Sequence, residues 1–151
     1  MKDAAWYLEK YGESHQNPTN IIIHKIFVPL IMFSVIGLLW VIPTGFDSWF
    51  LNLGMFLVIA ALGFYLTMGL KIFISMLLFI IPMAYGNYLL SNTTVHLQVS
   101  LIIFIVGWVM QFIGHKIEGK KPSFLDDLLF LLVGPVWVIY PLLKKLNLKK
   151  P

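Results

Sequence analysis

The sequence predicts an all-α membrane protein, built as a bundle of about four transmembrane helices. A short interfacial helix precedes the bundle, and a hydrophobic segment that re-enters or lies in the interface follows it. Three observations predict this. The 151-residue chain is 59% hydrophobic and only 12% charged, where a soluble domain carries roughly 25% charged residues. Between Gln16 and Gly114 the only formally charged side chains are Lys25, Asp47 and Lys71. Four apolar runs of roughly 20 residues, each long enough to cross a bilayer, are separated by polar or Pro/Gly-containing turns.

The elements follow in order. Asp3 to Glu13 reads as a short amphipathic helix, with Trp6, Tyr7 and Tyr11 expected at the membrane–water interface and Glu9, Lys10 and Glu13 facing water. Pro18 suits the first position of a helix with Asn17 as its N-cap. The helix Pro18 opens carries Asn20 and His24 on one face and continues as the first span, Ile21–Ile42, up to the turn Pro43-Thr44-Gly45. Phe50–Leu70 is the second span and Ile72–Leu90 the third. Pro82 in the third predicts a kink, which neighbouring helices can accommodate. After the polar turn Ser91-Asn92-Thr93-Thr94, the fourth span is Val95–Gly114. Ser123–Leu143 is apolar but contains Gly134-Pro135 and Pro141, and reads as a re-entrant hairpin or interfacial segment bent at Gly134-Pro135. With no repeat and no linker, the chain is expected to form a single domain. The first residues lack the features of a cleavable signal, so the first span is expected to be retained.

Lysine placement predicts orientation. Lys2, Lys10, Lys25, Lys71, Lys116, Lys120 and Lys121 all fall on one side of the four spans, while the loops around Asp47 and Asn92 hold none. Positive residues favour the cytoplasmic face, which puts the N-terminus, the Gly119 loop and the basic tail (Lys144, Lys145, Lys149, Lys150) there. The expected location is therefore a multi-pass protein of the inner membrane in a bacterium, or of the endoplasmic reticulum in a eukaryote.

Composition also excludes several classes. No cysteine is present, so disulfides, thiolate metal sites and a cysteine nucleophile are out. The glycines form no phosphate-binding loop, and no H-E-x-x-H pair or G-x-S-x-G elbow occurs. The lysines are not interleaved with aromatic residues on a soluble face, which argues against nucleic acid.

What remains is a polar cluster at the expected cytoplasmic mouth. Gln111, His115 and Glu118 share one face of the fourth helix. His15 and His24 reach the same depth from other segments, with Asn20 beside them. Polar side chains within spans are costly and mark sites by default. Imidazole is the commonest ligand for several transition metals, and polar neighbours orient the rings. His15, His24 and His115 are thus candidate metal ligands, with Asn20, Gln111 and Glu118 as candidate supporting residues. His96 falls at the opposite face and reads as a headgroup or loop residue. Two other readings use the same residues. One is an electron-transfer protein with heme between His24 and His115; the other is a non-catalytic, lipid-binding membrane protein.

The run W-Y-L-E-K-Y-G-E-S-H-Q-N-P-T-N-I-I-I-H-K-I-F-V-P, together with G-W-V-M-Q-F-I-G-H-K-I-E-G-K-K-P and the following F-L-D-D-L, resembles the fungal 2-hydroxy-fatty-acid dioxygenase family. The resemblance implies an iron(II)-dependent membrane enzyme of fatty-acid α-oxidation, with iron held by His15, His24 and His115. It implies a 2-hydroxy fatty acid and O2 as substrates, yielding the acid one carbon shorter plus CO2. The acyl tail would lie among the spans in contact with membrane lipid, and Lys25, Lys116, Lys120 and Lys121 would offset its carboxylate. The chain departs from the fungal pattern in two places. The step from the Gly114-His115 pair to Glu118 is one residue shorter, and Ile139-Tyr140-Pro141 stands where a glutamate is expected. These departures suggest a shorter, bacterial branch.

Overall fold

The computed structural model describes residues 4–46, 48–125 and 128–145. Asp47, the Asp126-Asp127 pair, Lys2, Lys149 and Lys150, on which parts of the motif and orientation readings rest, lie outside the described residues, as do the side chains of Lys144 and Lys145. The described residues form six α-helices: α1 (Ala4–Gly12), α2 (Pro18–Trp40), α3 (Leu53–Thr67), α4 (Leu70–Ser91), α5 (His96–Glu118) and α6 (Phe130–Lys145), with a 3-10 turn at Ser123–Leu125. Among the described residues there is no strand. The fold is all-α, as expected.

Three helices, α2, α4 and α5, are long and apolar enough to cross a membrane. The second expected span is shorter than its apolar run, because α3 holds only 15 residues, or about 22 Å of straight helix against a hydrocarbon core of about 30 Å. Asn52 caps its start, accepting a hydrogen bond from Met55 N at 2.9 Å. Gly69, with φ at 120°, turns the chain before α4 begins. Only 22–28% of the apolar windows of α2, α4 and α5 is buried against protein. Exposed Leu78 and Ile81 on α4, and Ile102, Val109 and Phe112 on α5, form outward faces that suit lipid contact.

The centre of the bundle is the antiparallel pair α2–α5. Ser100, Gly107 and Gly114, seven residues apart on α5, are all buried and form a small-residue stripe along which α2 approaches closely. A side chain at Gly107 would come within 2.5 Å of Ile31, one at Gly114 would collide with the Asn20 amide, and one at Gly37 of α2 would collide with Ser100 and Asn87. The start of α2 is as read: Pro18 opens it, and the Asn17 side chain accepts from Thr19 N at 2.9 Å.

Three expectations are corrected. First, Tyr7 and Tyr11 are core rings and not interfacial ones, being 5% and 7% exposed. They pack on Phe130 because α6 lies along α1, with Trp6 against Phe130 and Tyr11 against Trp137. Glu9, Lys10 and Glu13 do face outward. Second, Gly134-Pro135 does not bend the C-terminal segment into a hairpin, since both residues lie inside the single helix α6. Gly134 supplies a close approach there, where a Cβ would meet Tyr11 Oη at 2.9 Å. Tyr65 Oη anchors the same helix by donating to the Leu132 carbonyl at 3.0 Å. Third, His96 is not a headgroup residue. It is the first residue of α5, 4% exposed, with Nε2 at 3.0 Å from Asn87 Oδ1. Asn87 in turn donates to the Phe33 and Met83 carbonyls, so this imidazole fastens α5 to α4 and α2 at the far end.

The small-residue stripe yields a direct test. Gly107→Val should lower unfolding stability in detergent by about 1–3 kcal/mol, the usual cost of overpacking a tight contact. Gly63→Ala, where no atom lies within 4 Å of the new methyl, should be neutral or slightly stabilising through helix propensity.

Candidate metal centre and the cavity beside it

Three elements bring the histidines together. His15 stands in the bend between α1 and α2, His24 on the second turn of α2, and His115 in the last turn of α5. Their ring centroids lie 4.1 Å (His15–His24), 5.1 Å (His15–His115) and 4.9 Å (His24–His115) apart. One ring nitrogen from each falls within 4.8 Å of the others, and all three rings are 6% exposed or less.

The ring hydrogen bonds decide which nitrogens are free. His15 Nδ1 lies 2.6 Å from the Tyr11 carbonyl and His24 Nδ1 lies 3.0 Å from the Asn20 carbonyl. A carbonyl only accepts, so each Nδ1 carries the proton and each Nε2 keeps its lone pair. His15 Nε2 and His115 Nδ1 are buried without a protein partner. Buried polar atoms are rarely left so, and three ring nitrogens this close together suit a shared cation. Two nitrogens at about 2.1 Å from a transition metal lie at most about 4.2 Å apart, so small ring rotations suffice to close this set on one ion. The residues therefore fit a metal held by three imidazoles.

Protonation of His15 does not compete near neutrality. Burial is the main cause that pushes the His15 pKa down to about 4, assisted by His115 and opposed by the Tyr11 hydrogen bond and Glu118. Tyr11 stacks on His15 at 4.2 Å with nearly parallel planes, and burial pushes its phenol well above the ordinary value, so the stacked ring is neutral.

Glu118 is placed beside the histidines without joining them. Its carboxylate accepts from Gln16 N and Asn17 N at 2.9 Å each and from Asn20 Nδ2 at 3.0 Å. It thus caps the first turn of α2, where a negative charge is favoured, and holds the His15 bend to the end of α5. Asn20 completes the clamp by donating to the Ser14 carbonyl at 3.3 Å.

A cavity of about 340 Å³ opens beside His24 and His115 and runs along α2 past Val28 and Met32 to Ile36, with Val58 of α3 also in its wall. That volume falls in the range of ligand pockets, roughly 300–1,000 Å³. Among apolar walls, its polar lining comes from His24, His115, Tyr11, Tyr65, Gln111 and Ser123 with the indole of Trp108.

A family model described as 2-hydroxy-palmitic acid dioxygenase Mpo1-like matches residues 1–146. The chain belongs to the Mpo1-like family. It is also 28% identical over 141 residues to the 2-hydroxy-palmitic acid dioxygenase MPO1 of Saccharomyces cerevisiae, covering 91% of this chain and 78% of the yeast protein. No solved structure matches.

In this member of the Mpo1-like family the polar residues singled out in the sequence separate into three groups. His15, His24 and His115 meet at one point. Asn20 and Glu118 hold the segments that carry them, and Gln111 faces the cavity. The lysines are elsewhere. Lys25, Lys116 and Lys120 are exposed, none lines the cavity, and Lys120 Nζ donates to the Glu13 carbonyl at 2.6 Å. Sequence reasoning missed Tyr11, Trp108 and Ser123. Tyr11 is one helical turn before His15, and Trp108 lies seven residues before His115 on the Gln111 face, so spacing could have found both. Ser123 sits in a loop and left no periodic signal.

If Glu118 holds the His15 bend, Glu118→Ala should leave three N–H donors unpaired, lower stability by about 1–3 kcal/mol, and weaken metal retention without abolishing it. Metal content after dialysis against a weak chelator, read alongside the unfolding midpoint, checks this.

Proposed function

We propose that the chain is an iron(II)-dependent dioxygenase that converts a 2-hydroxy fatty acid and O2 into the acid one carbon shorter, CO2 and water. One observation carries the reading: three buried imidazoles bring one ring nitrogen each within 4.8 Å of the others, and two of the rings, His24 and His115, line a largely apolar cavity. Membership of the Mpo1-like family supports the reaction class.

His15, His24 and His115 would hold the metal. Imidazole ligands suit several metals, and the O2 chemistry of this reaction class favours iron among them. Bound there, iron(II) would supply open coordination positions for the substrate oxygens and O2. The protein's own groups supply the rest. The Tyr11 and Asn20 carbonyls fix the rings and their tautomers. Glu118 keeps the His15 bend against α5. The apolar walls take the acyl tail and keep water away, with each buried methylene contributing about 0.8 kcal/mol. The four electrons O2 requires all come from the substrate, as its first two carbons become CO2 and a new carboxyl, so no co-reductant enters. We place the site at the cytoplasmic face from the lysine distribution. Exposed Lys25 and Lys116 there act as point charges that draw acidic substrate toward the mouth.

The other readings fit less well. A heme between His24 and His115 would need a porphyrin plane between rings whose centroids are 4.9 Å apart in an edge-to-face arrangement. A passive lipid-binding protein would account for the cavity but not for three buried imidazoles gathered within 4.8 Å.

In detergent with added ferrous iron, 2-hydroxyhexadecanoic acid should turn over with O2 alone, consuming one O2 per pentadecanoic acid formed. Hexadecanoic acid should not react. A strict requirement for 2-oxoglutarate or for an electron donor would overturn the scheme.

A further inference from the structure

The lysines expected to meet the substrate carboxylate line no part of the cavity, so its recognition must come from other groups. Three candidates share one property. Gln111 Nε2, Ser123 Oγ and Trp108 Nε1 are all buried and without a hydrogen-bond partner, and all three residues line the cavity together with His24 and His115. Gln111 and Ser123 are only 5% and 7% exposed. Trp108, Gln111 and His115 stand at intervals of three and four residues on one face of α5. The Ser123–Leu125 turn is packed against that face through Phe124, whose ring meets Trp108 at 5.1 Å.

A buried unpaired donor is costly, and three around one cavity point to a ligand that supplies acceptors. A fatty-acid carboxylate supplies acceptors only. We propose that Gln111, Ser123 and Trp108 form a neutral donor cradle that binds the carboxylate of the substrate and so sets its position relative to the three histidines. This rests on the function proposed above and deepens it. Neutral donors have a physical advantage here. They stabilise the anion without adding a buried cation next to the metal ligands, whose own charge would oppose metal binding. They also make the site selective, because a ligand lacking the acceptor leaves all three donors unpaired, and such losses discriminate more strongly than a missing methylene.

The test compares ligands that share a tail and differ in the head. Binding of hexadecanoic acid and of 1-hexadecanol is measured by titrating intrinsic tryptophan fluorescence, and as competitive inhibition of turnover of the 2-hydroxy acid. In Gln111→Leu and in Ser123→Ala the acid should bind roughly ten-fold more weakly, while the alcohol changes little and metal content is unchanged. Turnover should show the loss mainly as a raised KM. Ser123→Thr, which keeps the hydroxyl, should restore acid binding. Gln111→Glu, which sets a like charge against the ligand, should bind acid more weakly than Gln111→Leu. Equal losses for acid and alcohol, or no loss for either, would overturn the cradle. The fluorescence arm needs no turnover. A wild-type protein that discriminates acid from alcohol through Gln111 and Ser123, yet fails to oxidise the 2-hydroxy acid, would refute the proposed reaction and leave the cradle standing.

Discussion

The close approach of α2 and α5 governs everything else in this protein. Two helices without side chains between them can bring residues on facing turns into one site, and Gly107 and Gly114 remove those side chains. Because the pair is antiparallel, the start of α2 meets the end of α5, so His24 and His115 face each other at one depth. The same juxtaposition puts the Glu118 carboxylate over the first turn of α2. There it accepts two backbone N–H groups that the helix itself cannot satisfy. That clamp draws in the bend carrying His15. A lipid-facing bundle with little apolar driving force between its helices is thus held at its two ends by polar contacts, Glu118 at one and the His96–Asn87 pair at the other.

The division of labour among polar groups follows from burial. Charges stay at the rim, where Lys25 and Lys116 keep their solvent. Inside, carbonyl partners fix the tautomers of His15 and His24, and the cavity wall offers uncharged donors. The acidic group nearest the histidines, Glu118, is engaged by Gln16 N, Asn17 N and Asn20 Nδ2, so its charge is partly offset where it stands.

Much of this was legible in the sequence, and for reasons that can be named. Low charge density and apolar runs disclosed the helices, and Asn17-Pro18 disclosed where α2 begins. Intervals of three and four residues placed Gln111, His115 and Glu118 on one face. Other features depended on tertiary packing, which a hydropathy pattern does not encode. Tyr7 and Tyr11 look like interfacial rings until α6 covers them. Gly134-Pro135 looks like a break, but the pair lies within a continuous helix, with Gly134 close to Tyr11. His96 looks like a headgroup ligand because its partner, Asn87, stands on the preceding helix across a polar turn. The lysines share the three clustered histidines' side of the spans, but depth does not set the direction of a side chain. Lys116 directly follows His115, but adjacent helical residues point in different directions.

The central claim is that His15, His24 and His115 together hold one iron ion. The most direct measurement is metal content per chain, by elemental analysis of protein purified without chelators, for the wild type and for His115→Ala and His96→Ala. The account predicts about one iron per chain in the wild type and in His96→Ala, and none above background in His115→Ala. Iron retained by His115→Ala, or lost only from His96→Ala, would contradict it.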